Sequence, residues 1–91
     1  HHMTCYIVTF QTGNEASRNK VREVLKTYSY YCPIHDYCWA VKTEEKATQV
    51  RDKVKAVMGQ GERVFVVRSG TEAAWFNSYG EKNNKWLKEN L

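Results

Sequence analysis

The order of hydrophobic patterns predicts an α+β sandwich of order βαββαβ, with a four-stranded antiparallel sheet and an added C-terminal helix. Three observations carry this reading. Uncharged or alternating runs rich in β-branched and aromatic residues recur at 4–11, 37–41 and 63–68, two one-sided helical patterns separate them, and the only proline sits inside a tyrosine-rich stretch between the first helix and the second of those runs. Two right-handed crossovers place both helices on one face of the sheet. The other face is left for a second subunit, a partner or the C-terminal helix, because a small domain does not leave a broad apolar sheet face in water.

The elements follow in order. Thr4-Cys5-Tyr6-Ile7-Val8-Thr9-Phe10-Gln11 contains no charge and predicts a central strand. Thr12-Gly13-Asn14 breaks it, and Asn14 is the expected N-cap of a helix over 15–28, whose apolar face is Val21, Val24, Leu25 and Tyr28, with Arg18, Arg22, Glu23 and Lys26 on the remaining surface. That apolar face is narrow and suits a flat partner. Pro33 cannot donate to a ladder, so the first half of 29–42 reads as a short edge strand and Tyr37-Cys38-Trp39-Ala40-Val41 as an inner one. Thr43 is the expected cap of a second helix over 44–58, with Ala47, Val50, Val54 and Val57 in one stripe and Gly59 and Gly61 as terminators. Arg63 to Arg68 is the last strand, closed by Ser69-Gly70. Ser78-x-x-Glu81 predicts a capping box opening the C-terminal helix, which Trp86, Leu87 and Leu91 would anchor.

The chain has 91 residues, suited to one domain that hides only about two-thirds of its surface on folding. His1 and His2 read as the remnant of a purification tag, leaving residues 3–91 as the domain. Lys plus Arg 14 against Asp plus Glu 10 gives +4, too small and too mixed a margin to specify an acidic partner. No stretch approaches the length of a membrane span and no hydrophobic leader is present, so the expected location is the cytoplasm, with no membrane partner. Cys5, Cys32 and Cys38 are an odd count, which fits free thiols in a reducing compartment.

Tyr6 to Gln11, Tyr37 to Thr43, Ala47 with Val50-Arg51-Asp52, Arg63 to Arg68 with Gly70, Ala74-Trp75 and the terminal Trp86-Leu87-Lys88-Glu89-Asn90-Leu91 resemble the small SinR-like bacterial and phage proteins. These are grouped with the smaller CRISPR-associated adaptation protein and with VapD-type toxins. The resemblance implies a ferredoxin-like domain that forms a homodimer. In nuclease members of the group it implies two symmetry-related strand-end aspartates that hold a divalent cation near the dimer seam. The matching position here is Gln11, whose single neutral amide oxygen replaces a charged two-oxygen ligand and removes most of the affinity for a hard cation.

Glu15 and Asp36 are the alternative acidic candidates for a relocated metal site, although a carboxylate in a helix's first turn and an aspartate in a hairpin turn are commonly structural. Cys32-Pro33-Ile34-His35-Asp36-Tyr37-Cys38 gathers zinc-ligand types, but one thiol precedes a proline and the other lies in an apolar strand, unlike paired ligands on a tight turn. Aromatics beside cations raise nucleic-acid contact, with Tyr31, Trp39, Arg63, Arg68 and Trp75 as candidates; the same residues suit an interface between subunits. No nucleophile motif or phosphate loop is present, and Gly59-Gln60-Gly61 lacks the third glycine of a dinucleotide loop. The expected function is a noncatalytic, dimer-forming binding or scaffold module without a cofactor, with a protein or nucleic-acid partner in a mobile-element or defence system. The alternative is a metal-dependent endoribonuclease or toxin that uses a divalent cation.

Overall fold

A computed structural model describes residues 3–70 and 72–91; the proposed tag remnant, His1 and His2, lies outside them. The elements are β1 (Thr4–Gln11), α1 (Glu15–Leu25), β2 (Tyr30–His35), β3 (Cys38–Thr43), α2 (Ala47–Lys55), β4 (Arg63–Arg68) and α3 (Glu81–Asn90). The strands pair antiparallel in the order β2-β3-β1-β4, the ferredoxin-like arrangement. The uncharged run 4–11 is therefore central, and the proline-bearing strand lies at an edge, where its missing N–H costs no ladder bond.

Register divides each strand between two faces. Val8 stands opposite both Trp39 and Val66, so Tyr6, Val8, Phe10, Trp39, Val41, Val64 and Val66 face the helices. There they meet Val21, Leu25 and Tyr28 from α1 and its C-terminal turn, and Val50 and Val54 from α2, in the main core. Each large side chain removed from water in this layer contributes about 1.5–3 kcal/mol. On the opposite face Cys5, Cys32 and Ala40 pack under Leu87, with Trp75, Trp86 and Leu91 around them. The C-terminal helix thus covers part of the second sheet face, lying over the β2–β3 half.

Element ends differ from the sequence pattern where tertiary contacts compete. Asn14 caps α1 as expected, its Oδ1 accepting from the Ser17 N–H at 2.8 Å. The helix stops at Leu25 rather than 28, and Tyr28 enters the core from a turn in which the Thr27 hydroxyl donates to the Val24 carbonyl at 2.6 Å. Thr43 does not cap α2. It is held in β3 opposite Thr4, its Oγ1 accepts from the Glu45 N–H, and the helix begins three residues later than the pattern predicts, with the Lys46 N–H donating to Gln49 Oε1. The intervening turn places Glu45 where Tyr28 donates to its carboxylate and Tyr6 to its carbonyl, each at 2.8 Å.

At its other end α2 stops at Lys55, so Gly59 and Gly61 shape the following loop instead of terminating the helix. Gly61 has φ +81, a left-handed turn that glycine adopts without strain. The Ser78–Glu81 capping box does not form: α3 starts at Glu81 behind Gly80 (φ +146), and the Ser78 hydroxyl donates to the Gly80 carbonyl. Tyr79, which the box would place in the first helical turn, reaches instead to Asp36 at 2.8 Å. None of the helices is long and apolar enough to cross a membrane among the described residues.

Candidate functional site

Gln11 ends β1 on the sheet face away from α1 and α2, directly opposite Arg63 at the start of β4. Arg63 Nη1 donates to Gln11 Oε1 at 2.7 Å. The side-chain oxygen is thereby engaged by a guanidinium, and a fixed positive charge stands where a cation would have to bind. Thr9, Phe10, Val64 and Phe65 complete the shallow cleft around the pair, and neither Glu15 nor Asp36 lines it.

The two alternative carboxylates are already committed elsewhere. Glu15 accepts from Arg18 Nη1 at 2.5 Å, one turn further along α1, and Asp36 accepts from the Tyr79 hydroxyl. Burial, then this bond to Asp36, raises the pKa of Tyr79, which keeps its phenol a donor. Among the described residues no three His, Cys, Asp or Glu side chains converge to a metal-binding group. The cysteine-histidine stretch is split by the hairpin. Cys32 packs beneath α3, Cys38 lies opposite Thr9, and all three thiols are free, buried and pushed upward in pKa chiefly by that burial. They act as small apolar side chains rather than as thiolate ligands.

The proposed contact residues do not form one surface. Tyr31 and Trp39 stack, with ring centroids 5.6 Å apart and planes 26° apart, on the helix-facing side of β2 and β3. Arg63 and Arg68 stand at the two ends of β4, and Trp75 belongs to the opposite face, its indole N–H donating to Asn84 Oδ1 at 2.7 Å. Two groups of residues escaped the sequence reading. Arg18 and Arg22, assigned there to solvated helix surface, lie over the rings of Tyr37 and Trp39, their guanidinium carbons 5.7 and 6.0 Å from the centroids. Their i,i+4 spacing on one side of the helix was the available signal.

The second missed group is on β4. Phe65 is 62% exposed and Val67 43% exposed, both on the outer sheet face beyond the reach of α3. Beside them lie Ile7 and Thr9 of β1, and β4 is also a free sheet edge. Its interior Val64-Phe65-Val66-Val67 lacks the proline, lysine or glycine with which edge strands ordinarily discourage pairing. Only the terminal arginines interrupt it.

No family model matches this chain, and no curated protein matches it. Among solved structures it resembles the crystal structure of a hypothetical protein from Thermus thermophilus, with a TM-score of 0.69 and 13% sequence identity over 82% of this chain and 92% of that one. At that identity the likeness establishes the fold alone.

Proposed function

We propose that this chain is a noncatalytic binding module that works as a homodimer, each copy covering the other along the outer strip of β1 and β4. The observation that carries the reading is Phe65, a large aromatic left mostly in water on a sheet face, with Val67 beside it and a free and apolar strand edge adjoining. α3 covers the β2–β3 half of the same face and leaves this half open. A second copy offers an identical strip to an isologous contact, in which each residue serves twice. The resemblance to SinR-like proteins, whose relatives dimerise, agrees with this arrangement and supplies the expectation of a role in a mobile-element or defence system.

The Gln11–Arg63 pair supports the noncatalytic half of the proposal. Phosphodiester cleavage assisted by a divalent cation needs anionic ligands, and this position offers a neutral amide already accepting from an arginine. A nuclease would need ligands from elsewhere, and Glu15 and Asp36 are each already paired and do not line that cleft. Multi-angle light scattering of protein lacking His1 and His2 tests the assembly: a dimer is expected at micromolar concentration, and a monomer throughout that range would sink the proposal. Incubation of labelled RNA with magnesium or manganese tests the chemistry, with intact RNA as the expected result.

A further inference from the structure

A cavity of about 200 Å³ opens where α1, the β2–β3 hairpin and the segment entering α3 meet. Arg18 and Arg22 line it from α1, His35 and Asp36 from the hairpin, Trp39 from β3, and Tyr79 from the entering segment. Two guanidinium groups therefore face a single carboxylate, and that carboxylate already accepts a hydrogen bond from Tyr79. The pocket has the charge balance of an anion site.

The arginines are also presented in a particular way. Arg22 lies over Trp39, which in turn stacks on Tyr31, and among the described residues it has no carboxylate partner. A guanidinium whose positive charge lies over a ring rather than beside a carboxylate has N–H donors to offer a planar or tetrahedral oxyanion. Arg18 is held over Tyr37, and while its Nη1 is engaged by Glu15, its Nε is shielded from solvent and has no hydrogen-bond partner. A shielded donor without an acceptor is costly, so the Arg18 side chain is not fully satisfied by its present partners.

The size narrows the ligand. The cavity is below the roughly 300–1,000 Å³ of pockets that enclose a whole small molecule. It admits a phosphate with its ester linkages and leaves the remainder of the ligand outside. What stands outside is aromatic: Tyr31, Tyr37 and Tyr79 are 39%, 43% and 55% exposed around the arginines. Rings beside a cationic groove are suited to stacked bases, whereas a phosphorylated peptide or a lipid headgroup would use the arginines and leave the rings idle.

We propose that this cavity is a phosphate subsite for single-stranded nucleic acid, in which Arg18 and Arg22 hold the backbone and a flanking base stacks on Tyr79 or Tyr31. The site lies on the helix-bearing side of the sheet, across from the Phe65 strip. It does not depend on self-association, and either proposal can fail alone.

The test is fluorescence anisotropy with labelled, mixed-sequence single-stranded RNA and DNA, using protein without His1 and His2. Saturable, salt-sensitive binding is expected. Arg22→Gln should weaken it about tenfold and make the salt slope shallower by about 0.7, the share of one phosphate contact on a single strand. Asp36→Asn should tighten binding, because it removes the one carboxylate that lines the cavity, Glu15 lying outside the lining, while leaving an acceptor for Tyr79. Lys85→Gln with Lys88→Gln on α3 serves as the control and should change little.

Absence of binding at low salt would overturn the proposal, as would an Asp36→Asn variant no tighter than the parent, or a control that loses as much as Arg22→Gln. A phosphotyrosine peptide or anionic lipid vesicles displacing the oligonucleotide more effectively than unlabelled oligonucleotide would overturn the nucleic-acid assignment. Because Arg22 also packs on Trp39, backbone amide NMR of the unaltered protein provides a readout free of folding effects. The largest shifts on adding oligonucleotide should fall at 18–22, 35–39 and 79, and a maximum on α3 or β4 instead would refute the location.

Discussion

Replacing Phe65 by Asp separates the assembly from the fold. In the single chain about 60% of this side chain is already in water, so an aspartate there loses little packing and should change monomer stability by only about 0.5 kcal/mol. In the dimer the same area would be buried. Of the roughly 200 Å² that a phenylalanine offers, about 120 Å² is available, worth about 3 kcal/mol per copy at about 25 cal/mol per Å². Twofold symmetry counts that twice, for about 6 kcal/mol, or about 10⁴-fold in the dissociation constant before the cost of placing two carboxylates at the seam. Light scattering across a concentration series reads the assembly, and circular dichroism melting reads the fold. Phe65→Asp is expected to be a folded monomer where the parent is a dimer. A variant that remains dimeric with the parent's affinity would refute the assignment of this strip, and one that unfolds would show that Phe65 supports the core rather than an interface.

Other consequences follow from the packing and the charge placement. Leu87→Ala removes the central anchor between α3 and the sheet, where Leu87 is only 1% exposed. It should cost about 2–5 kcal/mol in urea unfolding, with amide exchange in α3 accelerated before that in the sheet; a loss under about 1 kcal/mol would mean that α3 is not integral to the fold. Gln11→Asp should pair with Arg63 and still bind no manganese by calorimetry, and saturable sub-millimolar binding would overturn the view that Arg63 blocks the position. Glu45 is pulled two ways: its partial burial pushes its pKa up, but hydrogen bonds from Lys53 and Tyr28 outweigh that and hold it below its ordinary value of 4.5. The folded-state pKa is depressed, so this contribution to stability is present above pH 4.5 and is lost as pH falls through the lower folded value. Tyr28→Phe should cost about 1 kcal/mol near neutrality and make acid unfolding less steep, and an unchanged acid limb would show that Tyr28 does not hold the carboxylate.

The fold was largely legible because its signals are local. The uncharged run 4–11, the proline in β2 and the one-sided helices each depend on neighbouring residues in the chain, and together they specify the βαββαβ order and the central position of β1. Element ends were less legible. Thr43, Glu45 and Tyr79 take partners in β1, the turn after α1 or the hairpin, and no local pattern shows that a residue near an expected helix start has a better use elsewhere. Of the candidate functional residues, Gln11 was singled out at the strand end and Arg63 as a nucleic-acid or interface contact, but no local signal joined the two. Their bond joins positions 52 residues apart, and strand register alone brings them together.

By itself the sequence determined which segments become strands and helices, that both crossover helices lie on one face, and that the first strand ends on an uncharged amide. These follow from periodicity, turn residues and side-chain chemistry, which act over a few residues. Tertiary structure decided how the second face is shared, with α3 taking the β2–β3 half through Leu87 while Phe65 and Val67 stay open. It also decided that two ordinary-looking arginines on α1 converge with Tyr79 and Asp36 on one cavity. Both outcomes depend on the angle at which a helix lies on a twisted sheet and on how far its side chains reach, quantities set by packing across the whole domain.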